Sequence, residues 1–264
     1  MPVRPMISDL ETLTRGPRIL CIDLERIPGT VTLDVFDAKQ RSDYIHASTW
    51  STYPSTICAA WRWLGEKRTH FAATWTTDTL AETTWNLYNE ATHVITFNGR
   101  RADNKWCRDD WLYAGLPEPA GWKDIDLYVI GSQQFALEAK SLDFMCARLG
   151  VVGKRGHYSV AIARAAAGGD VRAQRAIERY NRGDVAATLA VFDKLRPLAK
   201  LPGVNLGLFF DDDAHRCSKC GSPLLDAEGW TSTGQTRWAQ YRCRECRGLS
   251  RSASRKQSST MRGI

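Results

Sequence analysis

The sequence has no long apolar run, because nowhere do about 18 apolar residues follow one another. This absence argues against a helix that crosses a membrane. Prolines and an aspartate stand within residues 1–10, where a secretory signal peptide needs an apolar stretch. Twenty glycines and ten prolines among 264 residues are too few for a collagen-like or low-complexity chain. With 43% hydrophobic and 25% charged residues, the composition is that of a globular protein, which we expect to be cytoplasmic and away from membranes.

Positive charge is concentrated at the C-terminal end of the chain. The whole chain has a formal net charge of +7. Residues 214–264 contain ten Lys and Arg against three acids, whereas residues 1–213 are balanced. A basic segment beside a neutral domain indicates a partner that carries phosphates, such as DNA or RNA, although basic tails also occur as plain solubilising segments.

The same segment carries four of the eight cysteines, in two Cys-x-x-Cys pairs: Cys217, Cys220, Cys243 and Cys246. Two such pairs place four thiolates at the corners of a tetrahedron, which is the coordination that Zn²⁺ prefers. Two disulfides are the alternative, which a cytoplasmic setting disfavours. A redox pair is a second alternative, and it lacks its usual βαβ context. The spacing therefore predicts a structural site for one Zn²⁺.

The stretch between the two cysteine pairs predicts the fold of this module. It contains Gly229 and Gly234 and alternates around Trp238 and Tyr241, which indicates a short β-hairpin. We therefore expect a zinc ribbon with a basic tail over residues 211–264, after a larger domain over residues 1–210. Whether the ribbon holds nucleic acid, contacts a protein or only stabilises the fold stays open from the sequence.

The larger domain alternates between short apolar runs and amphipathic stretches. This alternation, after three early strands, predicts an α/β domain with a mixed sheet and helices on its faces. Strands are expected at residues 18–23, 57–64, 68–75, 93–97 and 124–130. Helices are expected from Asp78, over 103–113, over 141–149, and over 170–195 with a weak point at Gly183.

Acidic and polar residues follow the ends of two apolar strands. Asp23 and Glu25 come after the first strand, and their side chains project to the same side at a period of two residues. Neighbouring carboxylates at the end of a buried strand are tolerated chiefly beside a cation or an arginine. Acids also simply mark the solvated exit of a strand, so this pair alone indicates little. Asn98 and Asp103 follow a second apolar strand, with Asp103 at the start of a helix.

A tyrosine and an aspartate stand four residues apart on the last predicted helix. Tyr180 and Asp184 share one face of that helix if it is continuous. Asp184 precedes the apolar face of the helix, so it points toward the core or lies beside it. Taken alone, Tyr180 would be interpreted as a packed aromatic residue.

The order of these motifs resembles a known family. Asp-x-Glu on the first strand, Phe-Asn-Gly-x-x-x-Asp at residues 97–103 and Tyr-x-x-x-Asp at residues 180–184 are similar to the motifs of the DnaQ-like 3′–5′ exonucleases. This family belongs to the RNase H-like superfamily, and the resemblance covers about residues 18–196. The tyrosine indicates the DEDDy subgroup, because Arg179 stands where the other subgroup has a histidine.

The resemblance implies an RNase H-like sheet and two Mg²⁺ or Mn²⁺ ions. Asp23 would bridge both ions, and Glu25 and Asp184 would complete one of the two sites. Asp103 would hold the second ion through water. Carboxylate oxygens are the hard ligands that these cations prefer.

The resemblance also implies residues that position the water and the substrate. Tyr180 would orient the attacking water, and His157, in a glycine-rich loop, is the alternative for that role. Leu24 and Asn98 would contact the terminal nucleotide.

These roles predict a metal-dependent 3′–5′ exonuclease that hydrolyses phosphodiester bonds at 3′ ends, with DNA as the favoured substrate. An RNA-trimming enzyme of the same fold is one alternative. A non-catalytic nucleic-acid-binding protein is the other, and the presence of all four acids counts against it. A DNA polymerase or another replication protein is a candidate partner.

Overall fold

A five-stranded mixed sheet forms the centre of the larger domain in the computed structural model, which describes residues 18–35, 45–153, 156–210 and 214–258. The first seven strands are β1 (Ile19–Ile27), β2 (Thr30–Val31), β3 (Trp50–Thr52), β4 (Ser55–Trp63), β5 (His70–Ala73), β6 (His93–Thr96) and β7 (Lys123–Asp126). The central sheet has the order β5-β4-β1-β6-β7. Neighbours are antiparallel among β5, β4 and β1, whereas β6 is parallel to both β1 and β7. Strands β2 and β3 form a separate antiparallel pair.

Helices cover both faces of this sheet. They are α1 (Leu80–Glu90), α2 (Asp103–Tyr113), α3 (Leu127–Gln134), α4 (Leu142–Leu149), α5 (Val160–Ala167) and α6 (Val171–Leu195). Successive side chains of a strand point to opposite faces. Accordingly, Cys21 of β1 packs in the same core as Phe192 of α6, whereas Leu20 packs with Tyr88 of α1. The predicted mixed α/β architecture is confirmed. Among the described residues, no helix combines the length and the apolar content needed to cross a membrane.

Strand β1 is longer than its apolar run predicts. It continues to Ile27, so Asp23 and Glu25 lie inside the strand, whereas the sequence placed them directly after it. Pairing with β4 explains the difference, because Asp23 lies opposite Ala60 and Glu25 lies opposite Cys58. The two acids therefore keep the regular alternation of an extended strand.

The stretch predicted as one strand over residues 124–130 is divided at Asp126. Strand β7 ends there, and α3 begins at Leu127. The Asp126 carboxylate accepts hydrogen bonds from the N–H groups of Tyr128 (3.0 Å) and Val129 (3.3 Å). Such capping satisfies backbone donors that the first helical turn leaves without partners. A helix therefore starts where the apolar run alone indicated a strand.

Two of the other helices differ from the predictions, and the weak point predicted in α6 is absent. Helix α1 begins at Leu80 after Thr79, not at Asp78. Helix α5 was not predicted, and the hydroxyl of Ser159 caps it by accepting the N–H of Ile162 at 3.2 Å. Helix α6 has the predicted extent and passes through Gly183 without interruption. Its continuity keeps the residues before and after the glycine on one helical surface.

Three antiparallel strands form the C-terminal module: β8 (Leu225–Thr233), β9 (Thr236–Cys243) and β10 (Leu249–Ser258), in the order β10-β9-β8. The predicted hairpin corresponds to β8 and β9, which turn at Gly234 with a φ of +56°. Strand β10 lies in what the sequence suggested as a basic tail. Its residues are mostly polar and exposed, so it gives no hydrophobic signal, and pairing with β9 provides its order.

A short linker contacts both parts of the chain. Leu206 is buried in the core of the larger domain, and its N–H donates to the carbonyl of Ser218 at 2.8 Å. Upstream of it, His93 Nε2 lies 3.3 Å from the carbonyl oxygen of Gly203. The domain boundary predicted at 210/211 falls just after these contacts, and the acidic run at 211–213 lies outside the described residues.

Candidate metal-binding sites

Three carboxylates meet between β1 and α6. Asp23 and Glu25 lie on alternate residues of β1, and Asp184 lies on α6. Each carboxylate offers an oxygen atom, and these atoms lie within 4.8 Å of one another. Asp184 is buried, and the other two are half-buried. Crowding of like charges at a buried position favours a compensating cation, and carboxylate oxygens are ligands for Mg²⁺ or Mn²⁺.

Asn181 holds the carboxylate of Asp23. Its side chain on α6 is fully buried, and its Nδ2 donates to Asp23 Oδ2 at 2.7 Å and to the Asp23 carbonyl oxygen at 3.1 Å. On the other side, the thiol of Cys58 donates to Asn181 Oδ1 at 3.7 Å. Burial raises the pKa of the Cys58 thiol well above its ordinary value, so the thiol keeps the proton that it donates. Partners of this kind fix the orientation of a metal ligand.

Asn181 was not predicted as a member of the site. The available signal was its position three residues before Asp184, which places the two on neighbouring parts of one helical surface. The contact with Asp23 has no signal of its own, because the two residues are 158 positions apart in the chain.

Asp103 lies beside the three-carboxylate cluster and is not one of its members. Its Oδ1 accepts a hydrogen bond from the backbone N–H of Leu24 at 3.0 Å. The parallel pairing of β1 with β6 ends at Cys21 and Ile95, so this N–H lies beyond the end of that ladder. The carboxylate of Asp103 takes the place of the missing strand partner.

Burial shifts the ionisation of Asp103. The residue is 4% exposed, and this desolvation raises the pKa of its carboxyl group from 3.8 to about 6. The hydrogen bond from Leu24 opposes the shift, whereas the negative charges of Asp126 and Asp184 add to it. A cation bound nearby would stabilise the ionised form.

Leu24 does not present its side chain to the cluster. The side chain is 3% exposed and packs with Trp111 and other residues of the core under α1 and α2. It therefore lies on the opposite face of β1 from Asp23 and Glu25. Any contact between Leu24 and a substrate has to come from its backbone.

Two tyrosines lie near one another beside the acids. Tyr180 is 9% exposed and stands one helical turn before Asp184. Its ring centroid is 6.5 Å from that of Tyr158, whose hydroxyl donates to the carbonyl of Arg26. Burial and then the charge of Glu25 raise the pKa of Tyr158. Tyr158 was not predicted, and its neighbour in sequence, His157, is exposed.

The backbone conformation of the loop after β6 is fixed by close contacts and hydrogen bonds. Asn98 has a φ of +67° in the left-handed region. A Cβ on Gly99 would lie 2.4 Å from the Oγ1 of Thr96, so this position requires glycine. The carboxylate of Asp126 accepts the N–H groups of Asn98 (2.9 Å) and Arg100 (3.1 Å) as well as those of α3. Asp126 is thus a structural residue that joins the loop to the helix.

A cavity of about 540 Å³ opens over the acids. Its lining consists of Asp23, Phe97, Asn98, Tyr128, Lys140, Ser141, Leu142 and Asp184. Lys140 brings a positive charge to the same cavity. The Oδ1 of Asn98 is buried and has no hydrogen-bond partner within the described part of the chain. The cavity therefore combines carboxylate oxygens with a positively charged side chain and an amide.

The four predicted cysteines also come together. Their sulfur atoms lie within 4.8 Å of one another, with Cys217 and Cys246 at 3.7 Å and Cys220 and Cys243 at 3.5 Å. Four thiolates at ~2.3 Å from a tetrahedral ion would be roughly 3.8 Å apart. A disulfide requires an S–S distance of ~2.05 Å. All eight cysteines are free, so the alternative of two disulfides is wrong.

Backbone N–H groups surround these sulfur atoms. Those of Lys219 and Gly248 each lie 3.4 Å from a cysteine sulfur. Burial raises the pKa of the Cys243 thiol, but hydrogen bonds from the backbone of Cys246 and Glu245 outweigh it and bring the pKa to about 7. Burial raises the pKa of the Cys220 and Cys246 thiols, so among these three cysteines the thiolate, which is the form that binds Zn²⁺, is favoured at Cys243.

Comparison with known proteins identifies a shared fold. No family profile matches the chain, and no curated protein sequence matches it. Solved structures do match, among them that of the family B DNA polymerase from the hyperthermophilic archaeon Pyrobaculum calidifontis, with a TM-score of 0.52 at 17% sequence identity. The match covers 69% of this chain and 25% of the polymerase chain. The chain therefore shares its fold with a part of a DNA polymerase about a quarter of that protein's length.

Proposed function

We propose that this chain is a metal-dependent exonuclease that removes nucleotides from the 3′ ends of nucleic acid, with DNA as its main substrate. The observation that carries the proposal is the cluster of Asp23, Glu25 and Asp184, of which Asp23 and Asp184 line an open cavity. Tyr180 lies one helical turn from Asp184. Two-metal hydrolysis of a phosphodiester needs hard ligands that hold the ions ~3.5–4 Å apart. Carboxylate oxygens within 4.8 Å of one another suit that requirement.

The ligands divide between the two ions according to their positions. Asp23, Glu25 and Asp184 would hold one ion, and Asp23 would also be a ligand of the second. Asp103 lies outside the cluster, and by the family resemblance it would hold the second ion through water. Bound Mg²⁺ or Mn²⁺ lowers the pKa of a coordinated water and offsets negative charge at the phosphate. Asn181 keeps Asp23 in one orientation throughout.

Tyr180 orients the attacking water. A phenol has an ordinary pKa of ~10, so at neutral pH it donates a hydrogen bond and does not remove the proton. The hydroxyl of Tyr158 is hydrogen-bonded to the backbone of Arg26, so the ring of Tyr158 has a fixed position. This ring lies next to Tyr180 and limits its movement. His157, which is exposed, is the weaker candidate for this role.

The cavity over the acids receives the 3′ end of the substrate. Its volume of about 540 Å³ is within the usual range for a small-molecule site. Asn98 contacts the terminal nucleotide through its side-chain amide, and Lys140 contacts a phosphate. Leu24 contributes through its backbone.

The likeness to a DNA polymerase supports DNA as the substrate and a polymerase or another replication protein as the partner. In this proposal residues 1–210 form an RNase H-like nuclease domain, and residues 211–264 form a zinc ribbon. Cys217, Cys220, Cys243 and Cys246 bind one Zn²⁺, which supplies folding energy to a module that has little apolar core.

The test is digestion of 5′-labelled substrates that end in a 3′ hydroxyl: single-stranded DNA, duplex DNA and RNA, each with Mg²⁺. We expect a ladder of steadily shorter labelled products, fastest on DNA, and no ladder with Asp184→Asn prepared in the same way. Release of the label at the first step would reveal the opposite polarity. A faster ladder on RNA would favour the RNA-trimming alternative, and no products on any substrate would refute the proposal.

A further inference from the structure

A second cavity, of about 510 Å³, is lined by four arginines and by no acidic residue. Its lining consists of Arg62, Arg68, Thr69, Val152, Gly153, Arg179, Arg182, Gly183, Ala186 and Ala187. The arginines come from strand β4, from the β4–β5 turn and from helix α6. We call this the arginine cavity. None of the proposed metal ligands lines it.

Two of the arginines are held in place by one residue. Thr69 is 9% exposed, and its hydroxyl accepts hydrogen bonds from the Nε of Arg62, at 3.0 Å, and from the Nη2 of the same side chain. The carbonyl of Thr69 accepts a hydrogen bond from Arg182. Arg182 is also paired with Glu178 at 2.8 Å. The two guanidinium groups therefore have fixed positions, and only one of them has an acidic partner among the described residues.

The other two arginines are exposed. The side chains of Arg68 and Arg179 form no hydrogen bond or ion pair with any residue in the part of the chain that the structure describes. Like charges concentrated in one cavity repel one another, and they attract anions from solution. Planar guanidinium groups match the geometry of phosphate oxygens and bind them through two hydrogen bonds.

We propose that the arginine cavity binds the phosphate groups of nucleotides. Two kinds of ligand carry such phosphate groups: a polynucleotide, in its backbone, and a free nucleotide. The position on α6 favours the backbone, because Arg179 and Gly183 directly precede Tyr180 and Asp184 of the proposed active site. That preference rests on the proposed function, whereas phosphate binding itself does not.

The test uses the full chain without Mg²⁺ or Mn²⁺, so that binding is measured in the absence of hydrolysis. The variant Arg68→Ala/Arg179→Ala removes two charges that have no structural partner among the described residues, and urea unfolding checks that it stays folded. The matched control is Lys67→Ala/Lys194→Ala. Both lysines are exposed, lie in the same turn and on the same helix, and are outside the cavity lining.

Fluorescence anisotropy of a labelled oligothymidylate gives Kd over a series of salt concentrations. We expect the arginine variant to weaken binding about tenfold at low salt and to reduce the slope of log Kd against log salt, by about 0.7 for each phosphate that the protein no longer neutralises. The lysine variant should weaken binding no more than about twofold. Equal weakening in the two variants would mean general attraction by surface charge and would overturn the proposal.

A second measurement separates the two sources of phosphate. Adenosine monophosphate is titrated by calorimetry against the same variants. If the arginine variant binds only the oligonucleotide more weakly, the cavity binds the phosphates of a polynucleotide backbone. If it also binds adenosine monophosphate more weakly, the cavity binds free nucleotides as well. Unchanged binding of both ligands to the arginine variant overturns the proposal. If the chain proves not to be an exonuclease, each of these outcomes keeps its meaning, because none of them depends on hydrolysis.

Discussion

Replacing Asp103 by Asn should stabilise the metal-free protein while it lowers hydrolysis. Burial raises the pKa of this carboxyl group from 3.8 to about 6, so the folded chain binds its proton more tightly than the unfolded chain does. The contribution of this tighter proton binding to the stability of the folded state is fully present below pH ~4 and is lost as the pH rises through about 6. At pH 8 the wild-type protein therefore keeps an ionised, buried carboxylate at a cost in free energy.

The magnitude follows from the size of the shift. About two pKa units correspond to about 3 kcal/mol. Asn can still accept the N–H of Leu24, but its amide donors need partners, and a buried donor without one costs about 1–3 kcal/mol. The neighbouring carboxylates of Asp126 and Asp184 can accept these donors in part. We therefore expect a gain of about 1–2 kcal/mol at pH 8 that shrinks toward zero near pH 5.

The assay is urea unfolding of both proteins at pH 5 and pH 8, followed by tryptophan fluorescence. The buffers contain neither Mg²⁺ nor Mn²⁺, and chelators are avoided because they would remove any zinc bound at the cysteine cluster. The same preparations are assayed for hydrolysis with Mg²⁺. A variant that is less stable than wild type by the same amount at both pH values would refute the reasoning. Hydrolysis above about a tenth of the wild-type rate would show that Asp103 is not needed at the metals.

Three further predictions concern the other site residues. Asn181→Ala should destabilise the protein by about 2 kcal/mol, because the Asp23 carboxylate and a thiol lose a buried partner. The same variant should also need a higher Mg²⁺ concentration to reach half of its maximal rate of hydrolysis. An unchanged Mg²⁺ concentration would contradict the role of Asn181 in positioning Asp23. Tyr180→Phe should lower kcat less than Asp184→Ala does, since it removes one hydrogen bond and no metal ligand; equal reductions would mean that the tyrosine does more than orient water. Metal analysis should find one zinc per chain, falling below about half an equivalent in Cys246→Ser, and a chain that contains no zinc would rule out the ribbon site.

Local periodicity and residue spacing were enough to predict several features of this protein. The period of two residues in a strand placed Asp23 and Glu25 on one side of β1, although the strand proved longer than predicted. The spacing of Tyr180 and Asp184 placed them on one surface of α6, which runs unbroken between them. The two Cys-x-x-Cys pairs predicted the four-sulfur cluster in the same way. The first two depend on residues that are close in the chain, and the third depends on a pair spacing that is typical of zinc sites.

Contacts between distant segments could not be predicted and are seen only in the folded chain. The hydrogen bond from Asn181 to Asp23 and that from Leu24 to Asp103 join residues that no local pattern relates. Strand β10 forms because β9 offers it hydrogen-bonding partners, and its polar sequence carries no hydrophobic period of its own. The arginine cavity likewise combines side chains from three separate elements. Such contacts depend on how the elements pack, and the free energy of packing is shared among residues far apart in sequence.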